Sequence, residues 1–157
     1  MKWLKLFLNL NNCLPAITGE SIQETYARTE LSQIGMRIWR EALEIVDTAG
    51  IKLESLPDFP EERLRGLTGM KIDEASRIYS GIMSGLSKEP LYGSVLQSLK
   101  RGRLSEIDYI NGEIARLGDK IGALAPLNKK VTALVHQVEK TGKFLNPEAV
   151  TEECGRI

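Results

Sequence analysis

One lysine and two asparagines near the amino terminus form a narrow polar stripe on a segment that is otherwise apolar. Because each residue of a helix turns by about 100°, Asn9 lies about 40° and Asn12 about −20° from Lys5. A helix with so wide an apolar surface is expected to be buried on most sides, with the stripe facing a polar cleft where Lys5 can donate a proton. In the alternative interpretation, the lysine extends to water and the asparagines end the helix near Pro15.

A second candidate for chemistry is the carboxylate of Glu106. Ser105 and Asp108 have the spacing of a capping box, which places Glu106 at the first position of a helix. Glu106 then lies about 60° from the centre of the apolar face of that helix, at its margin. The carboxylate either lies at the edge of a site, partly drawn into the protein, or only complements the positive end of the helix dipole.

Other polar residues carry weaker signals. Lys100, Arg101 and Arg103 form a short basic cluster, but no aromatic residues alternate with them, so a nucleic-acid site is poorly supported. His136 lies among apolar residues and is the single histidine of the chain, which favours a surface or core-edge position over catalysis. Neither G-x-G-x-x-G nor G-x-x-x-x-G-K-[ST] occurs, so no nucleotide-binding fingerprint is present.

Composition excludes several classes of function. The 21 basic and 21 acidic residues cancel, so no overall field attracts nucleic acid or an anionic membrane. One histidine and two cysteines nearly exclude zinc sites and histidine-based triads, and they favour a reducing, cytoplasmic setting. The apolar run over residues 4–10 is interrupted by Lys5 and Asn9, and it is too short for a membrane span. At 157 residues, one domain with a core is expected.

The elements that position these residues are predicted to be helices, because apolar residues recur at helical spacing throughout the chain. The fold class is therefore all-α. The first helix is expected over residues 2–14, ending before Pro15, and the main core helix over residues 30–49, ending at Gly50. The other predicted helices cover residues 21–27, a short stretch that begins at residue 61, and residues 71–86, 94–101, 105–117 and 127–140. Gly118 is expected to end the helix over residues 105–117, and residues 147–157 are expected to form a weakly held tail.

Three blocks of sequence resemble the C-terminal domain of the ketopantoate reductase family. They are residues 5–12 (KLFLNLNN), 93–97 (GSVLQ) and 102–112 (GRLSEIDYING), and they occur in the family's order. The third block is the most specific, and the resemblance extends over about residues 3–145. It implies an all-helical domain of the 6-phosphogluconate dehydrogenase C-terminal type over residues 1–146, with an N-terminal Rossmann domain that holds NADPH and is absent from this sequence.

The resemblance also implies a reaction. In such enzymes NADPH delivers a hydride to the keto carbon of 2-dehydropantoate while a lysine protonates the oxygen, which gives pantoate for pantothenate and coenzyme A synthesis. Lys5 matches that lysine, and Asn9 matches a substrate-binding asparagine. Ser94 and Glu106 match the serine and glutamate that bind the carboxylate and hydroxyl of the substrate.

One departure from the family concerns the substrate. A second substrate asparagine is expected near Cys13, where Asn12 is its neighbour and can replace it. Other 2-keto acids are therefore open as substrates. The chain is expected to act only with a Rossmann domain supplied in cis or trans, with a homodimer permitted and with neither nucleic acid nor membrane as partner. The competing hypothesis is a non-catalytic helical interaction module or a truncated remnant, marked by an exposed apolar face where the Rossmann domain would dock.

Overall fold

The fold is helical throughout the part of the chain that the structure describes. A computed structural model describes residues 2–157, so Met1, the first residue of the predicted domain, lies outside it. Within these residues the chain forms ten α-helices and one 3-10 turn, and no strand beyond an isolated bridge between Leu56 and Phe59. The predicted all-α class is confirmed.

The bounds of the helices follow. In chain order they are α1 (Trp3–Leu10), α2 (Cys13–Thr18), α3 (Ile22–Tyr26), α4 (Thr29–Thr48), α5 (Glu61–Gly69), α6 (Ile72–Ser84), α7 (Ser94–Lys100), α8 (Asn111–Ile121), α9 (Pro126–Thr141) and α10 (Pro147–Gly155). The 3-10 turn covers Ile107–Tyr109 and lies directly before α8. None of the described helices is both long and apolar enough to cross a bilayer.

The 20-residue helix α4 is the centre of the molecule, and α1, α3, α5, α6, α8, α9 and α10 all contact it. Its buried face includes Leu31, Ile34, Ile38 and Ile45, as the helical spacing of these apolar residues predicts. Burial of each such side chain stabilises the fold by about 1.5–3 kcal/mol. Gly50 follows the helix with φ of +71°, the left-handed conformation that glycine adopts most readily at a helix end.

The prediction of one helix over residues 2–14 is wrong. The chain turns at Asn11 and Asn12, and α2 begins at Cys13. Pro15 lies in the first turn of α2, where a residue without an N–H loses no bond within the helix, so the proline does not stop it. The result is two short helices joined by the pair of asparagines, with the second ending at Gly19, whose φ is +77°.

The prediction of a helix over residues 105–117 ended by Gly118 is also wrong. The 3-10 turn comes first, and Ile110, with φ of −112° and ψ of −95°, breaks the helical path before α8 begins. Gly118 lies inside α8, where a Cβ atom would be 2.9 Å from the carbonyl oxygen of Ala123. This glycine therefore permits close packing, and the helix ends at Gly122 instead.

Residues 147–157 do not form the predicted weakly held tail. Most of them belong to α10, which begins with Pro147 after Asn146, whose Oδ1 accepts a hydrogen bond of 2.8 Å from the N–H of Ala149. Val150 and Cys154 are fully buried, and α10 contacts α2, α4 and α9. Burial raises the pKa of the Cys154 thiol to about 11, so the side chain packs as a neutral, apolar group.

Candidate functional site

The polar stripe on α1 is present, and its two asparagines lie together. The Nδ2 of Asn12 donates a hydrogen bond of 3.4 Å to the Oδ1 of Asn9, and both side chains are half-buried. The apolar residues buried on the other faces of α1 are Leu4, Leu6, Phe7 and Leu10. The sequence predicts that Lys5 faces a polar cleft, but within this domain its side chain is exposed. Exposure leaves the polar end of this long side chain in contact with water.

The carboxyl end of α1 is held by side chains from three other helices. The last carbonyls of a helix have no partner within it, and here each of three receives a donor. The bonds run from Trp39 Nε1 to the oxygen of Phe7 (2.9 Å), from Asn111 Nδ2 to that of Leu10 (3.1 Å) and from the Tyr26 hydroxyl to that of Asn11. Sequence reasoning missed these donors, because they come from α3, α4 and α8.

Ser94 directly follows a glycine that packs against Asn12. Gly93 precedes the first turn of α7 and lies against the side chain of Asn12. A Cβ atom on Gly93 would be 2.9 Å from Asn12 Cγ, which is closer than such atoms approach, and 3.3 Å from Asn12 Cβ, which is a tight contact. The absence of a side chain at Gly93 therefore lets the start of α7 reach the polar stripe. We call Asn9, Asn12, Gly93 and Ser94 the polar cluster.

The second family asparagine has no equivalent at Cys13. That side chain is fully buried, and burial raises the pKa of its thiol well above its usual range. Asn12 instead lies on the accessible side of the turn and bonds to Asn9. The structure thus joins Asn9 and Asn12 by a hydrogen bond, and Ser94 directly follows Gly93, which packs against Asn12.

Glu106 lies outside the polar cluster. It is exposed, and no hydrogen bond within residues 2–157 joins its side chain to that of another predicted site residue. The predicted capping box around it is wrong, since Ser105 and Asp108 bond to residues of α9 instead. The hydroxyl of Ser105 donates to Glu139 Oε1 at 2.7 Å, and its backbone N–H donates to the same oxygen at 2.9 Å.

Two residues of α9, His136 and Glu139, hold the segment that carries Glu106, and we call them the α9 clamp. His136 contacts Glu139 Oε2 through Nδ1 at 2.6 Å and Asp108 Oδ1 through Nε2 at 2.8 Å. Partial burial of His136 opposes its charged form, but hydrogen bonds to the two carboxylates outweigh that cost and raise its pKa. Partial burial also opposes ionisation of Glu139, and bonds from Ser105 and His136 lower its pKa nevertheless.

A polar network of the half-buried Glu41 and the fully buried Asn111 and Asn128 ends at the last residue of α1. The carboxylate of Glu41 accepts the N–H groups of Leu127 (2.9 Å) and Asn128 (2.8 Å) at the start of α9, and also the Nδ2 of Asn128 (2.9 Å). The Oδ1 of Asn128 then accepts a bond of 3.0 Å from Asn111, the same amide that donates to Leu10 of α1. Helices α4, α8 and α9 thereby fix the position of the carboxyl end of α1.

A cavity of about 310 Å³ opens beside the polar cluster. Asn12 contributes to both. The remaining wall comes from α1 and the turn after it, from α3, α4, α5 and α6, from the loop before α5 and from the segment after α6. The lining side chains are Leu8, Asn11, Asn12, Ile22, Tyr26, Trp39, Asp58, Phe59, Arg63, Leu67, Tyr79, Ile82, Met83 and Leu86. Sequence reasoning missed this cavity, because its wall collects residues that are up to 78 positions apart.

Comparison with known proteins identifies the domain. Residues 1–139 match the family model described as "Ketopantoate reductase PanE/ApbA C terminal". The chain belongs to the ketopantoate reductase family. Among curated relatives, the 2-dehydropantoate 2-reductase of Pyrobaculum aerophilum is 26% identical over 139 residues, which cover 85% of this chain and 41% of the relative. That of Pyrococcus horikoshii is 43% identical over 51 residues, or 32% of this chain and 17% of the relative.

The similar solved structures include a member of the same family and a dehydrogenase with a different substrate. A ketopantoate reductase of the PanE/ApbA family from Ralstonia eutropha JMP134 superimposes with a TM-score of 0.64 at 28% identity, covering 88% of this chain and 40% of that one. A D-mandelate dehydrogenase in complex with NADH and anilino(oxo)acetate has a TM-score of 0.66 at 25% identity, covering 87% and 40%. The chain thus spans about 40% of the length of these relatives and matches the C-terminal domain.

Proposed function

We propose that this chain is the substrate-binding and catalytic domain of an NADPH-dependent 2-keto acid reductase, with 2-dehydropantoate as the reference substrate. The polar cluster is the observation that supports this proposal, because it combines two amides and a hydroxyl next to the exposed Lys5 in a domain of this family. A Rossmann domain, supplied in cis or trans, holds the cofactor. D-mandelate dehydrogenase, among the structural neighbours, supports the wider class of 2-keto acids.

The groups of this chain perform the proton transfer and hold the substrate. The cofactor supplies the hydride that reaches the keto carbon. Lys5, on the same face of α1 as Asn9 and one turn before it, transfers the proton from Nζ to the keto oxygen as that oxygen gains negative charge. Asn9 Nδ2 donates a hydrogen bond to the same oxygen, and the 2-keto acid becomes a 2-hydroxy acid.

The remaining predicted residues bind groups of the substrate other than its reacting carbon. The Ser94 hydroxyl donates to the substrate carboxylate, and Asn12 supplies the amide that other members have one position later. Glu106 accepts a hydrogen bond from a substrate hydroxyl. Glu106 follows α7 in the chain and belongs to the segment that the α9 clamp holds. The position of this segment therefore determines whether Glu106 reaches the substrate.

A fusion enzyme tests the proposal. The chain is joined to the nucleotide-binding domain of the Pyrobaculum aerophilum relative, and NADPH oxidation is followed with 2-dehydropantoate and with other 2-keto acids. We expect turnover by the fusion and none by the isolated chain. Replacement of a general acid typically costs about 10²–10⁴ in rate, so Lys5→Ala should lower kcat by that factor.

Lys2→Ala is the matched control, because Lys2 precedes α1 and is also exposed. Its rate should stay near that of the unchanged fusion. A fusion that is folded and binds NADPH but reduces no 2-keto acid would support the non-catalytic interaction module instead. An unchanged rate in Lys5→Ala would remove Lys5 from the reaction.

A further inference from the structure

We propose that His136 and Glu139 are positioning residues that hold Glu106 where it recognises the hydroxyl group of the substrate, and that they do so only while both ring nitrogens of His136 carry a proton. This inference rests on the proposed function, since it concerns recognition of the same 2-keto acid. It makes the preference for a hydroxylated substrate fall as pH rises, while a keto acid without that hydroxyl group is not affected in this way.

The Glu106 side chain depends on its neighbours in the chain for its position. It is exposed, and the backbone oxygen of Glu106 accepts the N–H of Tyr109 at 2.9 Å. Ile107, the next residue, is fully buried and anchors the segment in the core. The direction of the Glu106 side chain is therefore set by the backbone on its two sides.

Glu139 fixes the backbone before Glu106. The hydroxyl and the N–H of Ser105 both donate to Glu139 Oε1, at 2.7 and 2.9 Å. The Oγ of Ser105 also accepts the N–H of Ile107 at 3.3 Å, so this hydroxyl connects the carboxylate with the residue after Glu106. Because only 6% of the Glu139 side chain is exposed, its carboxylate is a fixed point for the residues on both sides of Glu106.

His136 connects the same carboxylate with the backbone after Glu106. Its Nδ1 lies 2.6 Å from Glu139 Oε2, and its Nε2 lies 2.8 Å from Asp108 Oδ1. Since ionised carboxylates only accept hydrogen bonds, both contacts are hydrogen bonds only when each ring nitrogen carries a proton. A neutral imidazole has a single N–H, and its other nitrogen places a lone pair against a carboxylate oxygen. Loss of one proton therefore releases either Asp108 or Glu139.

The charged groups that contact His136 give the direction of the pH dependence. Partial burial opposes the charge of the imidazole, but hydrogen bonds to Asp108 of the 3-10 turn and to Glu139 outweigh that cost and raise the pKa of His136. Helices α2, α4, α8 and α10 also pack against α9, and within residues 2–157 no charged side chain of theirs bonds to His136. Arg103, which lines a small cavity together with Glu139, keeps its charge at every pH used below. The α9 clamp is therefore complete below the ordinary histidine pKa of 6.5 and is lost as pH rises through the raised value.

A matched pair of substrates tests this inference in the fusion enzyme. 2-Dehydropantoate offers a hydroxyl group to Glu106, and trimethylpyruvate lacks only that hydroxyl oxygen. The KM for 2-dehydropantoate is divided by the KM for trimethylpyruvate at a series of pH values between about 6 and about 9, a range that spans the titration of histidine. Because Lys5 and the cofactor act on the keto group of both substrates, their own pH dependence cancels in this ratio.

We expect the KM ratio to rise about three- to tenfold over this range, since complete loss of a hydrogen bond to a charged group weakens binding by roughly tenfold or more. His136→Gln, which is uncharged at any pH, should give a high ratio that does not change with pH. His136→Lys keeps a positive charge throughout the range and should keep the ratio low at every pH. Glu139→Gln should raise the ratio at the lowest pH as well, because it weakens the bonds to both Ser105 and His136.

Gln137→Ala, on the exposed side of α9, is the control and should follow the unchanged fusion. Circular dichroism checks that all variants fold, and kcat with trimethylpyruvate should be similar in all of them. A loss of stability alone would affect both substrates, so it would not change the ratio.

The isolated chain provides an independent measurement, because His136 is its single histidine. Nitrogen NMR of the imidazole reports whether both ring nitrogens carry protons. We expect both to be protonated at about pH 6, below the ordinary midpoint for histidine, and the midpoint of the titration to agree with that of the KM ratio. A neutral ring at that pH would contradict the proposal.

The outcomes separate this inference from the proposed function. If the fusion reduces both keto acids but the KM ratio is constant with pH, or is the same in His136→Gln and the unchanged fusion, the positioning role is wrong and the proposed function stands. A folded fusion that binds NADPH and reduces neither keto acid overturns both.

Discussion

At the scale of single residues, the site depends on one contact between a glycine and an asparagine. Gly93 leaves room for the Asn12 side chain, and this contact brings the start of α7 to the turn between α1 and α2. The polar cluster therefore depends on the absence of a Cβ atom as much as on the groups that form it. The φ of Gly93 is −69°, so its backbone conformation is open to any residue and the restriction is purely one of space.

Gly93→Ala is expected to displace Asn12 and to destabilise the fold, since overpacking typically costs about 1–3 kcal/mol. Gly81→Ala is the matched control: nothing lies within 4 Å of its added Cβ, and it is inside α6. Alanine in a helix interior is favoured over glycine by about 0.5–1 kcal/mol, so Gly81→Ala should stabilise the protein. Urea unfolding measures both changes, and equal stability of the two variants would contradict the packing argument.

At the scale of elements, α9 acts as the support for the segment that carries Glu106. The α9 clamp bonds to both Ser105 and Asp108, which lie on either side of Glu106 in the chain. Glu139 is the more buried of the two clamp residues, with 6% of its side chain exposed against 43% for His136. The path of residues 102–110 is thus set by a helix that lies later in the chain. A change of charge in the α9 clamp should therefore move this segment and shift the position of Glu106.

The pH dependence of stability tests the clamp. The pKa of His136 is raised, so its contribution is complete below its ordinary pKa of 6.5 and is lost as pH rises through the raised value. The pKa of Glu139 is lowered, so its contribution is complete above 4.5 and is lost as pH falls through the lowered value. His136→Gln should therefore lower the free energy of unfolding most between these two pH values and least at alkaline pH.

The expected size of this effect is about 0.2–1 kcal/mol, because His136 is partly exposed and water screens its ion pairs. Unfolding by urea at a series of pH values measures it. Gln137→Ala, on the exposed side of α9, is the control and should show no pH dependence of its own. A constant difference between His136→Gln and the unchanged chain at all pH values would show that charge plays no part in the clamp.

At the scale of the whole molecule, the buried network of Glu41, Asn128 and Asn111 connects the helices that surround α4. Glu41 accepts three hydrogen bonds at the start of α9, and the chain of amides continues through α8 to the end of α1. Removal of an acceptor from such a network leaves buried donors without partners. The relative position of α1, α4, α8 and α9 is therefore sensitive to this single carboxylate.

Glu41→Ala is expected to destabilise the protein by about 1–3 kcal/mol or more, the cost of leaving buried donors unsatisfied. Glu41→Gln keeps one acceptor oxygen and should cost less. Glu44→Ala, on the exposed side of the same helix, should stay within about 0.5 kcal/mol of the unchanged chain. Thermal unfolding compares the three variants, and similar midpoints for Glu41→Ala and Glu44→Ala would show that the network contributes little.

The helices that local pattern alone could predict are those with a regular apolar face or with clear signals at their ends. α4 combines a regular apolar face with Gly50, and α9 begins at Pro126 and ends at Gly142. The predictions failed at Pro15 and Gly118, where position within the helix and contact with Ala123 override the usual preference of each residue. Periodicity contains no information about such contacts, because they join segments that pack only after folding.

The candidate site also combines features that local pattern predicts with features that depend on tertiary contacts. Helical geometry correctly placed Asn9 and Asn12 on one face, because the turn at residues 11 and 12 keeps nearly helical backbone angles. The close packing of Gly93, the residue before Ser94, against Asn12 could not be derived from spacing. The support of Glu106 by α9 and the cavity around Tyr79 also depend on tertiary contacts, so neither could be predicted from local pattern.

The three donors that hold the end of α1 make this helix dependent on the rest of the fold. A helix of eight residues is too short to persist alone in water. Its order comes from Trp39, Asn111 and Tyr26, which reach its last carbonyls only when α3, α4 and α8 are assembled. We therefore expect the core and the surface that presents Lys5 and Asn9 to form in one cooperative step, so that a partly folded chain lacks the candidate site.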